Sequence, residues 1–210
     1  MELGTLGAST ALFLALLPTR PLWSNIALAL LALAMVGLSA GTTRRCFWDP
    51  PEGSWSVRFR RSSALALGWS LPVVLAFGAY AALGIEQRSA GVVLSRLFGP
   101  GFWGNLAVFV PWALVQQTLF QFYLLGRVQA LLPGAAPLVP VVLTGVAYGA
   151  VHLPDRELAL LTSVAGTLWC YCYQRDRAVL PVALSHAVLG TTYFAWVRGR
   201  ELSLALLPAP

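Results

Sequence analysis

Residues 103–125 read WGNLAVFVPWALVQQTLFQFYLL, a run without one charged side chain. A helix crosses the hydrocarbon core of a bilayer with about 20 mostly apolar residues. Inside lipid, a helix or a closed barrel is needed to satisfy every backbone N–H and C=O. The stretch therefore decides the fold class: all-α and embedded in a membrane. Working outward from it, further apolar runs lie at 3–18, 22–41, 62–85, 135–153, 157–173 and 178–197. The expected architecture is a polytopic helical bundle of about seven (six to eight) transmembrane helices, forming one membrane domain over 1–210. The first two runs are parted by Pro18-Thr19-Arg20-Pro21, a break suited to a hairpin. The tail 201–208 is too short to span and is expected at the interface. The start, Met1-Glu2-Leu3, lacks the positive region of a cleaved signal peptide.

Composition agrees. The chain is 58% hydrophobic and 10% charged, whereas soluble domains are about a quarter charged. The same numbers exclude disorder, which needs low hydrophobicity and high charge. Fourteen basic residues, all Arg, face eight acids. They sit between apolar runs, as membrane-flanking charges do, so the expected partner is the lipid bilayer and not nucleic acid. The 42–61 loop carries Arg44, Arg45, Arg58, Arg60 and Arg61, which predicts that it is cytoplasmic. The expected location is the cytoplasmic (inner) membrane of a bacterium. Trp23, Trp103 and Trp196 fall near span ends, where indoles favour the interface. Cys46, Cys170 and Cys172 lack the second Cys pair of a zinc site and read as inert thiols. No metal or cofactor is expected from them.

Polar groups inside spans are costly and mark the place to look for chemistry. The fourth run holds Gln116, Gln117 and Gln121; the fifth ends in Tyr148-Gly149-Ala150-Val151-His152; the seventh holds Ser185-His186 through Gly190-Thr191. His152 and His186 are the two histidines of the chain. For any one such residue the plain reading is a hydrogen bond between helices, worth about 0.6–2 kcal/mol. Three glutamines within six positions, with a histidine on each of two other spans, point further. Gln117 and Gln121 share a helix face at i, i+4, with Gln116 turned by about 100°. Such a sector must face protein or trapped water. Pro111, just upstream, frees the carbonyl of Ala107 and predicts a kink or a water there.

The order and spacing of these groups resemble the CPBP family of intramembrane proteases, the group of CAAX prenyl protease type II and the bacteriocin-processing Abi proteins. Its motifs are Glu-Glu-x-x-x-Arg, then an aromatic three residues before a His, then His-x-x-x-Asn. Tyr148 and His152 match the second and His186 the start of the third. Gly166-Thr167-Leu168-Trp169 through Gln174-Arg175-Asp176-Arg177 is similar to the family's approach to its third motif. The likeness covers a core of 107–197. It departs at the first motif, which reads Gln116-Gln117-Thr118-Leu119-Phe120-Gln121, and at Gly190, where the family has Asn. The resemblance implies hydrolysis of a peptide bond within or near the membrane. It puts Gln116 at the base position with His152 as partner, His186 and Gly190 at the oxyanion positions, and Gln117 and Gln121 at the other two changed positions. The implied substrate is a membrane protein or a lipid-modified peptide.

A carboxylate takes a proton and a glutamine amide does not. Losing general-base help costs about 100- to 10,000-fold in rate. A neutral imidazole titrates near working pH, so His152 alone is one candidate base. Asp155 and Glu157 are nearby carboxylates, more simply read as loop charges. Replacing two acids and one base together also leaves no orphan ion buried. Three readings follow: a protease with a modified centre, an inactive relative that binds membrane proteins as a scaffold, and a membrane protein holding haem or a metal between two histidines. A Soret band would mark the last.

Overall fold

The computed structural model describes residues 53–84 and 89–199, with the isolated positions 30, 34 and 37. The expected span at 3–18, that at 22–41 except for positions 30, 34 and 37, Cys46 and the tail at 201–208 lie outside the described residues. Among those described, all regular structure is helical. The helices are α1 Trp55–Leu83, α2 Ala90–Phe98, α3 Pro100–Gln117, α4 Leu125–Leu131, α5 Leu138–Ala150, α6 Arg156–Asp176 and α7 Val179–Thr192. A π-helical segment, Thr118–Leu124, joins α3 to α4, and another, Tyr193–Val197, follows α7. The fold is an all-α polytopic membrane fold.

Three helical runs are long and apolar enough to cross a membrane: Trp55–Leu83, Ala90–Leu131 and Val179–Val197; α5 is a shorter apolar helix. Seven spans are not reached among the described residues. The 157–173 run forms α6, but its ends carry Arg156, Glu157, Arg175 and Asp176 and its middle several hydroxyls. Two further differences share a cause. The helix expected at 62–85 begins at Trp55, so Arg58, Arg60 and Arg61 stand on its first turns and not in a loop. Hydropathy reads polarity, yet arginine is a good helix former. Likewise α2 was hidden between Arg88 and Arg96, although Ser89 caps it by accepting the N–H of Val92 at 3.4 Å. Pro100 occupies the first turn of α3, where its missing N–H costs nothing. Pro111 lies inside α3, which runs through it; the change of helical type comes at Thr118.

The described residues fall into two compact units, 119–174 and 53–118 with 175–199. In the first, α5 and α6 approach closely through glycines. A methyl at Gly145 would meet Thr167, one at Gly149 would meet Ser163 and the Ala159 carbonyl, and one at Gly166 would stand 3.0 Å from Tyr148 Cβ. Small residues four apart let membrane helices come together where lipid gives no hydrophobic drive. Asp155 starts α6, its carboxylate accepting from the Leu158 N–H at 3.1 Å. That capping is the structural use of one of the two loop carboxylates.

In the second unit, α7 packs on α3 and on α1. Ser62, Ala66 and Ser70 form a buried small-residue face of α1. Ser70 Oγ donates to the Ala66 carbonyl at 2.6 Å and meets Ser185 Oγ at 2.7 Å. Trp103 is exposed near a helix start, as an interfacial indole should be. Trp196 differs. It is buried against Phe98 and Phe102, and its indole N–H donates to the Leu97 carbonyl at 2.7 Å. The carbonyls at the end of α2 lack helical partners, and this indole satisfies one of them.

Candidate active site

The candidate residues divide between the two units. Gln121 and His152 lie in the first; Gln116, Gln117, His186 and Gly190 lie in the second.

His152 sits in the turn that follows α5. Its N–H donates to the Gly149 carbonyl at 2.9 Å and its carbonyl accepts from Asp155 at 3.1 Å. Nδ1 is 3.0 Å from the Tyr148 carbonyl oxygen, which can only accept, so Nδ1 carries the proton. Thr162 Oγ1 is 3.2 Å from the same nitrogen and donates its own proton to the Leu158 carbonyl at 2.6 Å. The Thr162 oxygen therefore faces the ring as a second acceptor. This tautomer leaves the lone pair on Nε2, the atom a base or a ligand-binding imidazole would use.

Tyr148, one turn before His152, is fully buried. Its ring stands edge-on to Phe120 at 4.7 Å and to Trp169 at 5.6 Å. It is tilted against the His152 ring at 5.7 Å. Gly166 gives it room, so the aromatic-to-histidine spacing is a packed scaffold that fixes the imidazole. Gln121, in the π-helical segment, is wholly buried; its Nε2 donates to Cys170 Sγ at 3.5 Å. Its Oε1 has no hydrogen-bond partner among the described residues. Cys170 and Cys172 are both buried free thiols.

In the second unit Asn105, Phe109, Ala113 and Gln117 repeat every four residues and form the buried face of α3. Gln117 is wholly buried, and neither amide atom has a partner among the described residues. Gln116 is half-buried. On α7, His186 is buried and its ring stands edge-on to Phe109 at 6.4 Å. Phe109, Ala113 and Ala187 make a hydrophobic cluster with Leu106 and Phe194 packed on it. Gly190 lies directly under Phe109: an added Cβ would stand 2.6 Å from Phe109 Cε1 and 2.8 Å from Cδ1. The place an asparagine side chain would take is filled by an aromatic ring.

Reading the sequence missed Phe109 and Asn105. The four-residue spacing from Gln117 back through Ala113 was the available signal, but apolar surroundings hid it. Thr162 was missed as well, ten residues from the histidine it touches. No group of three or more His, Cys, Asp and Glu side chains suited to a metal occurs among the described residues.

Comparison with curated proteins and with solved structures gives no match. A family model does match, that of the Type II CAAX prenyl endopeptidase Rce1-like family, over residues 98–192. The match runs from the end of α2 to the last residue of α7, a little under half of the chain, and takes in all six candidate residues. Over residues 98–192 the chain is thus similar to the type II CAAX prenyl endopeptidase Rce1-like family, and it carries three helical runs long and apolar enough to cross a membrane.

Proposed function

We propose that this protein binds a membrane-embedded or lipid-modified peptide at its Rce1-like domain without hydrolysing it at an enzyme's rate, as a membrane scaffold. The whole chain acts as one membrane domain, with the Arg-rich start of α1 on the cytoplasmic side. The observation that carries this reading is the Phe109 ring against Gly190. An oxyanion is stabilised by donors placed beforehand where its charge develops. At this position the donor is absent and its space is occupied. Gln116, Gln117 and Gln121 add that no carboxylate stands at the family's base position. Amide groups still bind peptides: a buried glutamine offers a donor and an acceptor side by side, as a peptide backbone does.

One observation favours a second reading, a hydrolase whose base is His152. Its Nδ1–H is held by the Tyr148 carbonyl and Thr162, which leaves Nε2 free of its proton. The two readings part in one experiment. The purified full-length protein in liposomes is given a farnesylated C-terminal peptide carrying a photo-crosslinker and a fluorophore. Crosslinking with the peptide intact is the expected result. Cleavage by wild type that disappears in His152→Ala would replace the scaffold with the hydrolase. No crosslink and no cleavage, with this peptide and with a transmembrane reporter, would overturn both.

A further inference from the structure

At the start of α1 and at the junction of α6 and α7, the side chains of Arg61 and Arg175 meet one carboxylate, with further arginines close by in sequence. Asp176 is buried. Its Oδ2 accepts from Arg175 Nε at 3.0 Å and from Nη2 at 2.9 Å, and its Oδ1 lies 3.5 Å from Arg61 Nε. Arg175 Nη2 also reaches the Arg61 carbonyl at 3.5 Å. Arg58 precedes Arg61 by one turn, Arg60 is exposed beside it, and Arg177 follows Asp176. Of these five arginines, Arg61 and Arg175 pair with Asp176. Arg58 and Arg60 make no ion pair among the described residues.

The exposed side of α1 continues from this patch as an apolar stripe. Leu67, Leu71 and Leu75 are 58–63% exposed and follow Arg60 at seven, eleven and fifteen residues, which is one helix face. At 1.5 Å per residue the stripe runs from about 10 to about 22 Å beyond Arg60. One leaflet of hydrocarbon is about 15 Å deep. An anion on the arginines and an acyl chain on the leucines would therefore belong to one molecule.

We infer that this patch is a binding site for an anionic phospholipid, its phosphate held by Arg60 and Arg61 and its acyl chain lying along Leu67, Leu71 and Leu75. Guanidinium forks match phosphate oxygens. Basic clusters at the cytoplasmic end of a span meet the leaflet that carries anionic lipid. Asp176 positions Arg61 and Arg175; the lipid meets the remaining positive charge. This site is independent of whether the Rce1-like domain cleaves or binds a peptide.

The test is native mass spectrometry of the full-length protein released from detergent with equal amounts of phosphatidylglycerol and phosphatidylcholine. Wild type should retain phosphatidylglycerol preferentially. Arg60→Gln with Arg61→Gln should lower that preference roughly 30-fold, each interfacial arginine being worth about fivefold. Arg156→Gln, an exposed arginine at the start of α6, should leave it unchanged. Inorganic phosphate should not displace the lipid if the acyl chain contributes. Equal retention of the two lipids, an unchanged preference in the double variant, an equal loss in Arg156→Gln, or displacement by phosphate alone would each overturn the inference.

Discussion

The unit of residues 119–174 and the unit of 53–118 with 175–199 treat their candidate histidines differently. In the first, the Tyr148 carbonyl and Thr162 hold His152 Nδ1, Gly166 makes room for Tyr148, and Trp169 packs against the Tyr148 ring. In the second, His186 looks onto a phenylalanine, and the glycine one turn later exists to accommodate that phenylalanine. His152 is held by polar contacts, and the α3 face that meets His186 belongs to the Phe109–Ala113–Ala187 hydrophobic cluster. On the proposed scaffold reading, the packing around Gly190, and not the placing of His152, is what departs from the fixed geometry that catalysis needs.

The sharpest way to break the comparison is to rebuild the altered half. Gln116→Glu, Gln121→Arg and Gly190→Asn, with Phe109→Leu to clear the space, restore three of the four altered polar positions and leave Gln117 as it is. At half-buried position 116 a lone Glu is biased by lost solvation toward its protonated form, whereas a guanidinium favours the ionised one. Cleavage of a membrane reporter should rise about 100-fold or more over wild type. His152→Ala should abolish the gain. Omitting Phe109→Leu should lose most of it, because the asparagine then has nowhere to go. A gain that survives His152→Ala would show that His152 is not the base.

The next effects are on stability. Gly149→Ala places a methyl on Ser163 Oγ and the Ala159 carbonyl. Backbone cannot yield as a side chain does, so α5 and α6 must separate, with an expected loss of about 3 kcal/mol. Gly190→Ala meets only a ring, and the expected loss is about 1–2 kcal/mol. Phe109→Leu should relieve it, giving a coupling of about 1 kcal/mol in a double-mutant cycle. Unfolding in mixed detergent micelles measures all of these. Equal costs at the two glycines would remove the distinction between a backbone contact and a side-chain one.

These contacts also mark the limit of what the sequence makes legible. The runs at 103–125, 135–153 and 178–197 become helices close to their expected places because a long uncharged stretch in lipid has few alternatives. Tyr148 and His152 are legible as a pair because four residues make one turn. Phe109 and Gly190 are 81 positions apart, and nothing local in either says that one fills the space of the other. The π-helical segment after Gln117 is also silent, since no glycine or proline falls within Thr118–Leu124. The arginines at the start of α1 misled in the opposite direction, because charge hid a helix that their propensity supports.

The smallest expected effect concerns Thr162. Its hydroxyl is the second acceptor for His152 Nδ1, at 3.2 Å against 3.0 Å for the Tyr148 carbonyl. Thr162→Val keeps the shape and removes the oxygen. The carbonyl alone still accepts the proton, so the tautomer should persist, and nitrogen NMR of labelled histidine should still show Nδ1 protonated. The loss should be that of one neutral hydrogen bond, about 1 kcal/mol. Thr162→Ser should recover most of it, because the serine hydroxyl can repeat the bond to the Leu158 carbonyl and turn the same lone pair to the ring. A switch of the proton to Nε2 in Thr162→Val would show that Thr162, and not the turn after α5, sets the chemistry of His152. The surroundings of the two histidines would then differ by one hydroxyl as well as by one phenylalanine.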